Sequence, residues 1–464
     1  MSEGFRYVRN VPDLLDHGTS DLRLDALKIL EQVLEEVNPF EWCRRKLQLE
    51  PRSGTGHDTL IVNGLRLALK PQASVWFFGA GKASYQIARG VEDRLGARLR
   101  GGLVVCKDGQ EGTLQRIDMR LADHPIPSTA SVAAAHEMLG RAVLPRSGDV
   151  VICGITGGSS ALLTLPCAGL ELADLQSLTK ILLTCGADIV EINAVRKHAS
   201  QVGGGRLAMA FNAGVQLINL TVSDVIGDAL DYITDPTVAD TSTVDDARAT
   251  LSKYGLWERV TPALKRFFAP GGGATETPKQ LPWPDEHNIV LLPASSATDA
   301  ALHAAQALGY EAVVLSSSFD GESQALGRTF AAIAREIAAN GRPAGMPCAL
   351  IGGGETIVKM ASFGGQGGPN QEFALAAAAW LPADCEGVAM GVDTDGTDGP
   401  TNIAGGLCDS STYGRAREAG VDLPYALEHH DVSPALMLLN DAILTGSTGS
   451  NVNDLKLLLL RSAR

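Results

Sequence analysis

Residues 74–84 read SVWFFGAGKAS, and residues 148–160 read GDVVICGITGGSS. Each stretch is a short apolar run that ends in glycine and serine directly before a helical pattern. Parallel strands that are buried on both faces have this composition, because helices cover both sides of the sheet. Ligands bind open parallel sheets at the carboxyl ends of the strands. The two stretches therefore predict an α/β fold whose strands end in ligand-facing turns.

Further apolar runs extend this pattern along the chain. They are GGLVVC from Gly101, QLINLTV from Gln216, NIVLLPASS from Asn288, EAVVLSS from Glu311, CALIGGG from Cys348 and GVAMGVDTDG from Gly387. Residues 267–287, rich in glycine and proline, predict a linker or long loop, with an ordered excursion of one domain as the alternative. We therefore predict a Rossmann-like domain over residues 1–266 and a second α/β domain over residues 288–464, with largely parallel sheets.

Composition and charge narrow the classes of partner. The chain of 464 residues has 53 acidic and 39 basic residues, a formal net charge of −14, and 5% aromatic residues. Nucleic acids and anionic membranes favour basic surfaces, and single strands also favour stacking aromatics, so neither partner is expected. A small-molecule substrate is expected instead. The sequence leaves the oligomeric state open, a homodimer included.

The cysteines and the apolar stretches of the sequence indicate where in the cell the protein is expected. The eight cysteines are dispersed and form no CxxC pair. A disulfide scaffold is denser, so a reducing cytoplasm is the expected location. The longest apolar stretches are shorter than a membrane span, and no signal-peptide pattern opens the chain.

The turn at residues 79–84, GAGKAS, places a lysine beside glycines. A Walker A loop would require glycine where Trp76 stands and serine or threonine where Ala83 stands. A dinucleotide fingerprint would require glycine where Ser84 stands, which leaves only a weak signal. Lys82 suits a point charge against a phosphate, and a solvated lysine on a tight turn is the alternative.

The second glycine turn consists of Gly157, Gly158, Ser159 and Ser160. Backbone N–H groups before a helix favour a phosphate or a carboxylate, and a plain strand-to-helix turn is the alternative. Ser159 also approaches the GxSxG nucleophile motif. Ala161 stands at its last position and no His or Asp belongs to the motif, so a hydrolase is disfavoured.

A basic cluster follows in a predicted helix. Asp188 and Glu191 lie in its first turn, and Arg196, Lys197 and His198 lie near its end. The helix dipole alone favours this arrangement. However, an acidic protein that binds an anion must also concentrate positive charge locally. Arg196 is therefore a candidate for contacting an anionic substrate.

Two groups of aspartates and one more glycine cluster follow predicted strands. The aspartates are Asp224, Asp228, Asp231 and Asp235, and then Asp393, Asp395 and Asp398. Neither group fits an EF-hand, but Mg²⁺ needs only one or two carboxylates beside water and phosphate. Turn or cap formation is the alternative for each aspartate. The glycine cluster, Gly352, Gly353, Gly354 and Glu355, predicts another ligand-facing turn.

The motifs occur together in a specific order. They are GAGKAS, ADHPIPS, GGSSALL, GADIVEINAVRKHASQVGGGRLA, SDVIGD, GGGET, NQEFALAAA, DTDGTDGPTNIAGG and TGSNVND. This combination, from about Leu24 to Leu458, resembles the glycerate 2-kinases of the MOFRL type, which older naming calls hydroxypyruvate reductases. The resemblance implies two α/β domains with the active site in the cleft between them. It also implies transfer of the ATP γ-phosphate to the C2 hydroxyl of D-glycerate with Mg²⁺.

The resemblance also implies roles for particular residues. Lys82 would stabilise charge on the transferring phosphoryl group, with Arg196 and Asp224 as further candidate catalytic residues. The turns at residues 157–160 and 352–355 would hold anionic groups, and Asp224 or Asp393 would carry Mg²⁺.

The sequence departs from the family pattern in two places. Residues 367–370 read GGPN where the pattern has GGRN, so Pro369 replaces an arginine for which Arg196 or Lys197 would compensate. Residues 233–237 read ITDPT where the pattern has ASGPT, so Asp235 adds a carboxylate.

Two other functions stay open. An NAD(P)H-dependent hydroxypyruvate reductase is the main alternative, from the incomplete fingerprint at Gly79 and the older family name. A non-catalytic sensor of sugar acids is disfavoured, because no helix-turn-helix with a basic face is evident. The sequence leaves open the choice between the C2 and C3 hydroxyls, the individual metal ligands, and the acceptance of other hydroxy acids.

Overall fold

A computed structural model of the chain describes residues 4–51, 57–110, 112–223, 229–230, 235–283, 287–359 and 365–463. The chain forms two compact units, Pro39–Leu291 and Met1–Asn38 with Leu292–Arg464. The first 38 residues therefore group with the C-terminal part, although the sequence predicted them in the N-terminal domain.

The predicted linker at residues 267–287 falls within the unit Pro39–Leu291. Phe267 and Phe268 are buried in a hydrophobic core of that unit, and the Thr277 hydroxyl donates to Asp240 Oδ2 at 2.7 Å. The described part of the segment is therefore an ordered excursion of one unit, the alternative that the sequence analysis left open.

The described residues form helices along the whole length of the chain. They are α1 (Val11–Leu15), α2 (Ser20–Glu36), α3 (Pro39–Lys46), α4 (Ser84–Leu95), α5 (Thr129–Ala142), α6 (Ser159–Leu162), α7 (Leu172–Leu182), α8 (Ile189–Ala199), α9 (Val244–Lys253), α10 (Pro262–Phe268), α11 (Ser296–Ala307), α12 (Ser323–Asn340), α13 (Pro369–Ala378), α14 (Thr412–Glu418), α15 (Leu423–Glu428) and α16 (Val432–Leu438). None of these described helices is long and apolar enough to cross a bilayer.

The strands form three sheets. They are β1 (Leu47–Glu50), β2 (Asp58–Val62), β3 (Leu65–Leu69), β4 (Val75–Ala80), β5 (Leu99–Lys107), β6 (Ile117–Ala122), β7 (Val150–Ile155), β8 (Gln216–Val222), β9 (His287–Leu292), β10 (Glu311–Phe319), β11 (Cys348–Gly354), β12 (Cys385–Asp393), β13 (Gly405–Asp409), β14 (Ala442–Ile443) and β15 (Asp454–Ser462). Strands β1, β2 and β3 form a small antiparallel sheet.

The sheet that contains the first quoted stretch has the order β6-β5-β4-β7-β8-β9. The pairs β5–β6, β4–β5, β4–β7 and β7–β8 are all parallel. Every residue of β7 is buried, as expected for a strand covered by helices on both faces. Counted from β4, the order is that of a Rossmann fold, and it reverses between β4 and β7. The predicted α/β class and this parallel sheet are confirmed.

The second large sheet differs from the predicted pairing. Its order is β10-β11-β15-β12-β13-β14, and of its pairs only β10–β11 is parallel. The last strand, β15, lies between β11 and β12 and runs antiparallel to both. Its run of leucines is buried. A continuous apolar run is favoured at the centre of a sheet, where both faces of the strand are covered. The sheet is therefore mixed, and sequence analysis missed its central strand.

Buried ion pairs anchor α2 to the C-terminal residues. Arg23 Nη1 donates to Asp409 Oδ2 at 3.0 Å, and Arg23 Nη2 donates to Asp441 Oδ1 at 2.8 Å. All three side chains are fully buried. Arg23 Nε also donates to the Leu14 carbonyl at 2.7 Å. These contacts explain why the first 38 residues group with the C-terminal part.

Replacing Arg23 with methionine should lower the free energy of unfolding by about 3–5 kcal/mol, because Asp409 and Asp441 would lose a buried partner. The matched control is Lys28→Met on the same helix, where the pair with Asp25 is partly solvated. It should change the free energy of unfolding by less than about 1 kcal/mol. Urea denaturation monitored by circular dichroism measures both. Equal losses in the two variants would contradict an anchoring role for Arg23.

Candidate active site

The turns that follow β4 and β7 are in direct contact. The Lys82 backbone N–H donates to the Gly157 carbonyl at 2.9 Å, and the Ala83 N–H donates to Thr156 Oγ1 at 3.1 Å. These turns lie where the strand order reverses, which is where open α/β sheets bind ligands. The structure therefore brings together two of the turns that the sequence singled out.

Glycine makes this close approach possible. Gly81 has a φ of +138°, and a Cβ there would lie 2.2 Å from Thr156 Oγ1. Gly158 has a φ of +85°, and a Cβ there would lie 3.5 Å from Lys82 Cγ and 3.0 Å from His124 Cδ2. The Lys82 stem and the His124 ring therefore both lie beside Gly158.

The sequence patterns predicted no role for His124. The residue follows β6 at the same edge of the sheet, in the ADHPIPS motif. The motif contributed only to the family resemblance. Its place after a strand could have predicted a ligand-facing turn, because open parallel sheets bind ligands at the carboxyl ends of their strands. His124 is half-buried and is a further candidate for contacting a ligand near Lys82.

A pocket lies next to these turns in the same unit. Its lining residues are Pro127, Ser160, Leu163, Thr164, Leu175, Leu178, Thr179, Asn193, Arg196, Lys197, Ser200, Gly203 and Asp235. Consecutive Cα atoms are about 3.8 Å apart, so the Cα of Ser160 lies within about 8 Å of that of Gly158. Pro127 is likewise within about 11 Å of His124. The predicted residues Lys82, Gly158, Ser160 and Arg196 thus belong to one region of the fold.

The two cations of the pocket have different surroundings. Lys197 Nζ lies 3.0 Å from Asp240 Oδ1, and both side chains are buried. Within the part of the chain that the structure describes, the Arg196 guanidinium has no hydrogen bond or ion pair. Burial lowers the pKa of Arg196, and the charge of Asp235 opposes that shift.

The carboxylates of this region are also buried. Asp235 Oδ1 accepts from the Gly204 N–H at 2.6 Å. Burial raises the pKa of Asp235, and the charge of Lys197 partly offsets the increase. For Asp240, burial also acts to raise the pKa, but Lys197 and hydrogen bonds outweigh it, so the pKa is lowered.

The acidic residues at the start of α8 cap the helix. The Glu191 N–H donates to Asp188 Oδ1 at 2.9 Å, and the Asp188 N–H donates to Glu191 Oε2 at 3.3 Å. His198, near the other end, is buried and its Nδ1 lies 2.7 Å from the Ala194 carbonyl oxygen. Burial lowers its pKa, which agrees with a neutral structural histidine.

The third glycine cluster is not a turn. Gly352, Gly353 and Gly354 are the last residues of β11, and only Glu355 lies beyond the strand. A Cβ at Gly352 would lie 2.9 Å from the rings of Phe319 and Phe330, so close packing accounts for glycine there. The prediction of a turn was wrong for these three residues. Their contact with an anionic group stays a prediction.

The predicted metal ligands are only partly described. Asp224, Asp228 and Asp231 lie outside the described residues. Asp393 ends β12, is half-buried, and its Oδ1 accepts from the Asp395 N–H at 2.9 Å. In the described ranges, no three His, Cys, Asp or Glu side chains cluster around a metal position. Mg²⁺ prefers oxygen donors and needs only one or two carboxylates, so Asp393 fits as a ligand and stays a prediction.

Asp398 caps a helix. Its two carboxylate oxygens accept from the Asn370 N–H at 3.1 Å and the Gln371 N–H at 2.9 Å. These N–H groups lie in the first turn of α13, where Pro369 occupies the first position and lacks an N–H. Asp398 therefore performs the cap function that the sequence analysis gave as an alternative to metal binding.

Comparisons with known proteins cover nearly the whole chain. Residues 25–269 match a domain of unknown function, DUF4147, and residues 348–454 match the MOFRL family. Over 448 residues the chain is 38% identical to a glycerate 2-kinase of Pyrococcus horikoshii, which covers 96% of this chain and 98% of that protein. Over 385 residues it is 38% identical to a "putative hydroxypyruvate reductase" of Agrobacterium vitis. This alignment covers 82% of this chain and 98% of that protein. A crystal structure of glycerate kinase from Thermotoga maritima aligns with a TM-score of 0.80 at 33% identity, covering 95% of this chain and 99% of that one.

Replacing Gly81 with alanine should destabilise the protein by about 1–3 kcal/mol, because the backbone is strained for an L-residue and the new Cβ meets Thr156. Gly140 in α5 is the matched control, since in the described ranges nothing beyond the adjoining helix backbone lies within 4 Å of the position that a Cβ would take there. Gly140→Ala should be neutral or stabilise by up to about 1 kcal/mol. Differential scanning calorimetry measures both variants. A Gly81→Ala variant as stable as Gly140→Ala would contradict the packing argument.

Proposed function

Since the chain belongs to the MOFRL family of glycerate kinases, we propose that it transfers the γ-phosphoryl group of ATP to the C2 hydroxyl of D-glycerate. The observation that carries the proposal is the contact between the Lys82 turn and the Gly157 turn, which lie close to the pocket of Arg196. A cation for the phosphoryl group and a cation for the acid thus occur in one region.

Phosphoryl transfer requires little covalent participation from the protein. It requires in-line positioning and positive charge around the equatorial phosphate oxygens. Lys82 would supply that charge, because an ammonium acts as a compact point charge against phosphate. The turn at residues 157–160 would contact neighbouring phosphate oxygens, with the hydroxyls of Ser159 and Ser160 as donors.

The acceptor acid would bind through its carboxylate. A guanidinium binds a carboxylate with two parallel hydrogen bonds, which fixes orientation as well as charge. Arg196 lines the pocket and has no ion pair in the described ranges, so it is the proposed partner. Held in this way, the acid would present its C2 hydroxyl in a fixed orientation.

Mg²⁺ would neutralise phosphate charge when bound. Asp224 and Asp393 are the proposed ligands, Asp224 is also a candidate catalytic residue, and a carboxylate near the hydroxyl would accept its proton. The cysteines support the proposed cytoplasmic location, because all eight are free thiols.

Local geometry favours the kinase over the reductase. Ser84 stands where a dinucleotide fingerprint has its third glycine, and it is buried with its Oγ 3.3 Å from Thr156 Oγ1. Strand β5 ends in Lys107, whereas dinucleotide sites place an acid on the ribose in this part of the fold.

One assay separates the two activities. The pure protein is incubated with D-glycerate, ATP and Mg²⁺, and separately with hydroxypyruvate and NADH or NADPH. We expect nucleotide consumption only in the first mixture. ³¹P NMR of the product should show 2-phosphoglycerate. Consumption of NAD(P)H alone would overturn the proposal, and 3-phosphoglycerate would overturn its regiochemistry.

Replacing Lys82 with alanine should lower kcat by about 10²- to 10³-fold, because one charge that stabilises the transition state is lost. Lys107→Ala is the matched control, since Lys107 is exposed at the end of the neighbouring strand of the same sheet. Its kcat should stay within about twofold of the wild-type value, as for most exposed side chains away from a site. Steady-state kinetics with D-glycerate measures both. Wild-type kcat in Lys82→Ala would remove Lys82 from the mechanism.

A further inference from the structure

We propose that Asp235 makes the Arg196 pocket selective for hydroxy acids that carry a single carboxylate. The inference rests on the proposed function and names the class of acceptor that the site takes. In this arrangement Arg196 binds the carboxylate, and Asp235 accepts a hydrogen bond from a hydroxyl of the same molecule. A second carboxylate on the acceptor would face Asp235 and be repelled.

Arg196 can bind one carboxylate of the ligand. Its guanidinium lines the pocket and has no hydrogen bond or ion pair with the described residues. An enclosed cation without a partner is costly, and an anionic ligand removes that cost. The planar guanidinium matches one carboxylate at a time in a bidentate geometry.

Lys197, the neighbouring cation, is already paired. Its Nζ lies 3.0 Å from Asp240 Oδ1, and both side chains are buried. Asp240 also accepts from Ser242 Oγ at 3.0 Å and from Thr277 Oγ1 at 2.7 Å. If Lys197 bound a second carboxylate of the ligand, Asp240 would be left as a buried, unpaired charge. Lys197 is therefore an unfavourable partner for a second carboxylate.

Asp235 adds a hydrogen-bond acceptor and a negative charge to the wall of the pocket. Its side chain is buried, and Oδ1 accepts from the Gly204 N–H at 2.6 Å. Oδ2 accepts no hydrogen bond from the described part of the chain, and Asp235 lines the pocket. This oxygen is therefore the one that a ligand hydroxyl can reach.

Lys197 and Asp240 neutralise each other as an ion pair, whereas Asp235 acts on Arg196 through its charge without an ion pair or a hydrogen bond to it. A hydroxy acid with one carboxylate engages Arg196 and supplies a hydroxyl to Asp235, which satisfies both groups. A dicarboxylate of the same size adds a second negative charge beside Asp235, and like charges in close contact disfavour binding.

The test compares D-glycerate with hydroxymalonate, which also has a C2 hydroxyl but carries two carboxylates. Wild type, Asp235→Asn and Asp245→Asn are assayed as full-length proteins for kcat and KM with ATP and Mg²⁺. Isothermal titration calorimetry measures the binding of each acid alone. Asp245 is the matched control, because it is 86% exposed at the start of α9 in the same unit.

We expect wild type to prefer D-glycerate in both measurements. Asp235→Asn should lower the preference for D-glycerate over hydroxymalonate by about 10- to 100-fold, because a neutral amide no longer repels the second carboxylate. Asp245→Asn should leave the preference unchanged. An unchanged preference in Asp235→Asn, or a wild type that binds both acids equally or neither, would overturn the inference.

Two further variants distinguish selectivity from a general loss of structure. Asp235→Gly also removes the carboxylate, so it should lower the preference for D-glycerate over hydroxymalonate as Asp235→Asn does. This variant tests the inference if Asp235→Asn fails to fold. Arg196→Lys should weaken both acids while keeping their ratio, because each uses the guanidinium for one carboxylate. A chain that binds the acids selectively but transfers no phosphate would refute the proposed kinase activity and leave the pocket's selectivity standing.

Discussion

The hydrogen bond from the Lys82 N–H to the Gly157 carbonyl joins the two turns at the point where the parallel sheet reverses its strand order. It forms only because Gly81 has no Cβ to collide with Thr156. Two backbones in such close contact set the direction in which the Lys82 side chain leaves the turn. The sheet brings the strand ends to one edge, and this steric constraint places the lysine there.

The basic cluster on α8 shows how a buried ion pair can serve an adjacent residue. Consecutive helix residues point about 100° apart, so the direction of one side chain constrains the next. Lys197 is turned towards Asp240, and that pair is expensive to break. Both residues line the pocket, and because Lys197 is paired with Asp240, Arg196 is the one without an ion partner in the described ranges. The pair therefore leaves the neighbouring guanidinium as the cation that an anion would meet.

Much of the fold was predictable because local patterns determine it. Continuous apolar runs predicted β4 and β7 as buried parallel strands, and the structure confirms them. The position of β15 was not predictable, because a run of leucines does not reveal which strands it will pair with. The grouping of the first 38 residues depends on Arg23 meeting Asp409 and Asp441, which are 386 and 418 residues away in sequence. Such long-range pairings leave no periodic signal in the sequence.

The candidate site was only partly predictable, and the reason lies in the two uses of glycine. Gly81 and Gly158 have a positive φ and close neighbours, and both lie beside Lys82, so the missing Cβ leaves room next to a side chain that is a candidate for contacting phosphate. At Gly352 the missing Cβ admits phenylalanine rings, and at Gly391 it admits the backbone of Asn370, with the Asn370 carbonyl oxygen 2.4 Å from the Cβ position. In sequence the clusters at Gly81, Gly158 and Gly352 look alike, because each is a glycine-rich segment at the end of an apolar stretch. They differ in what fills the space of the absent side chain, and only tertiary contacts determine that.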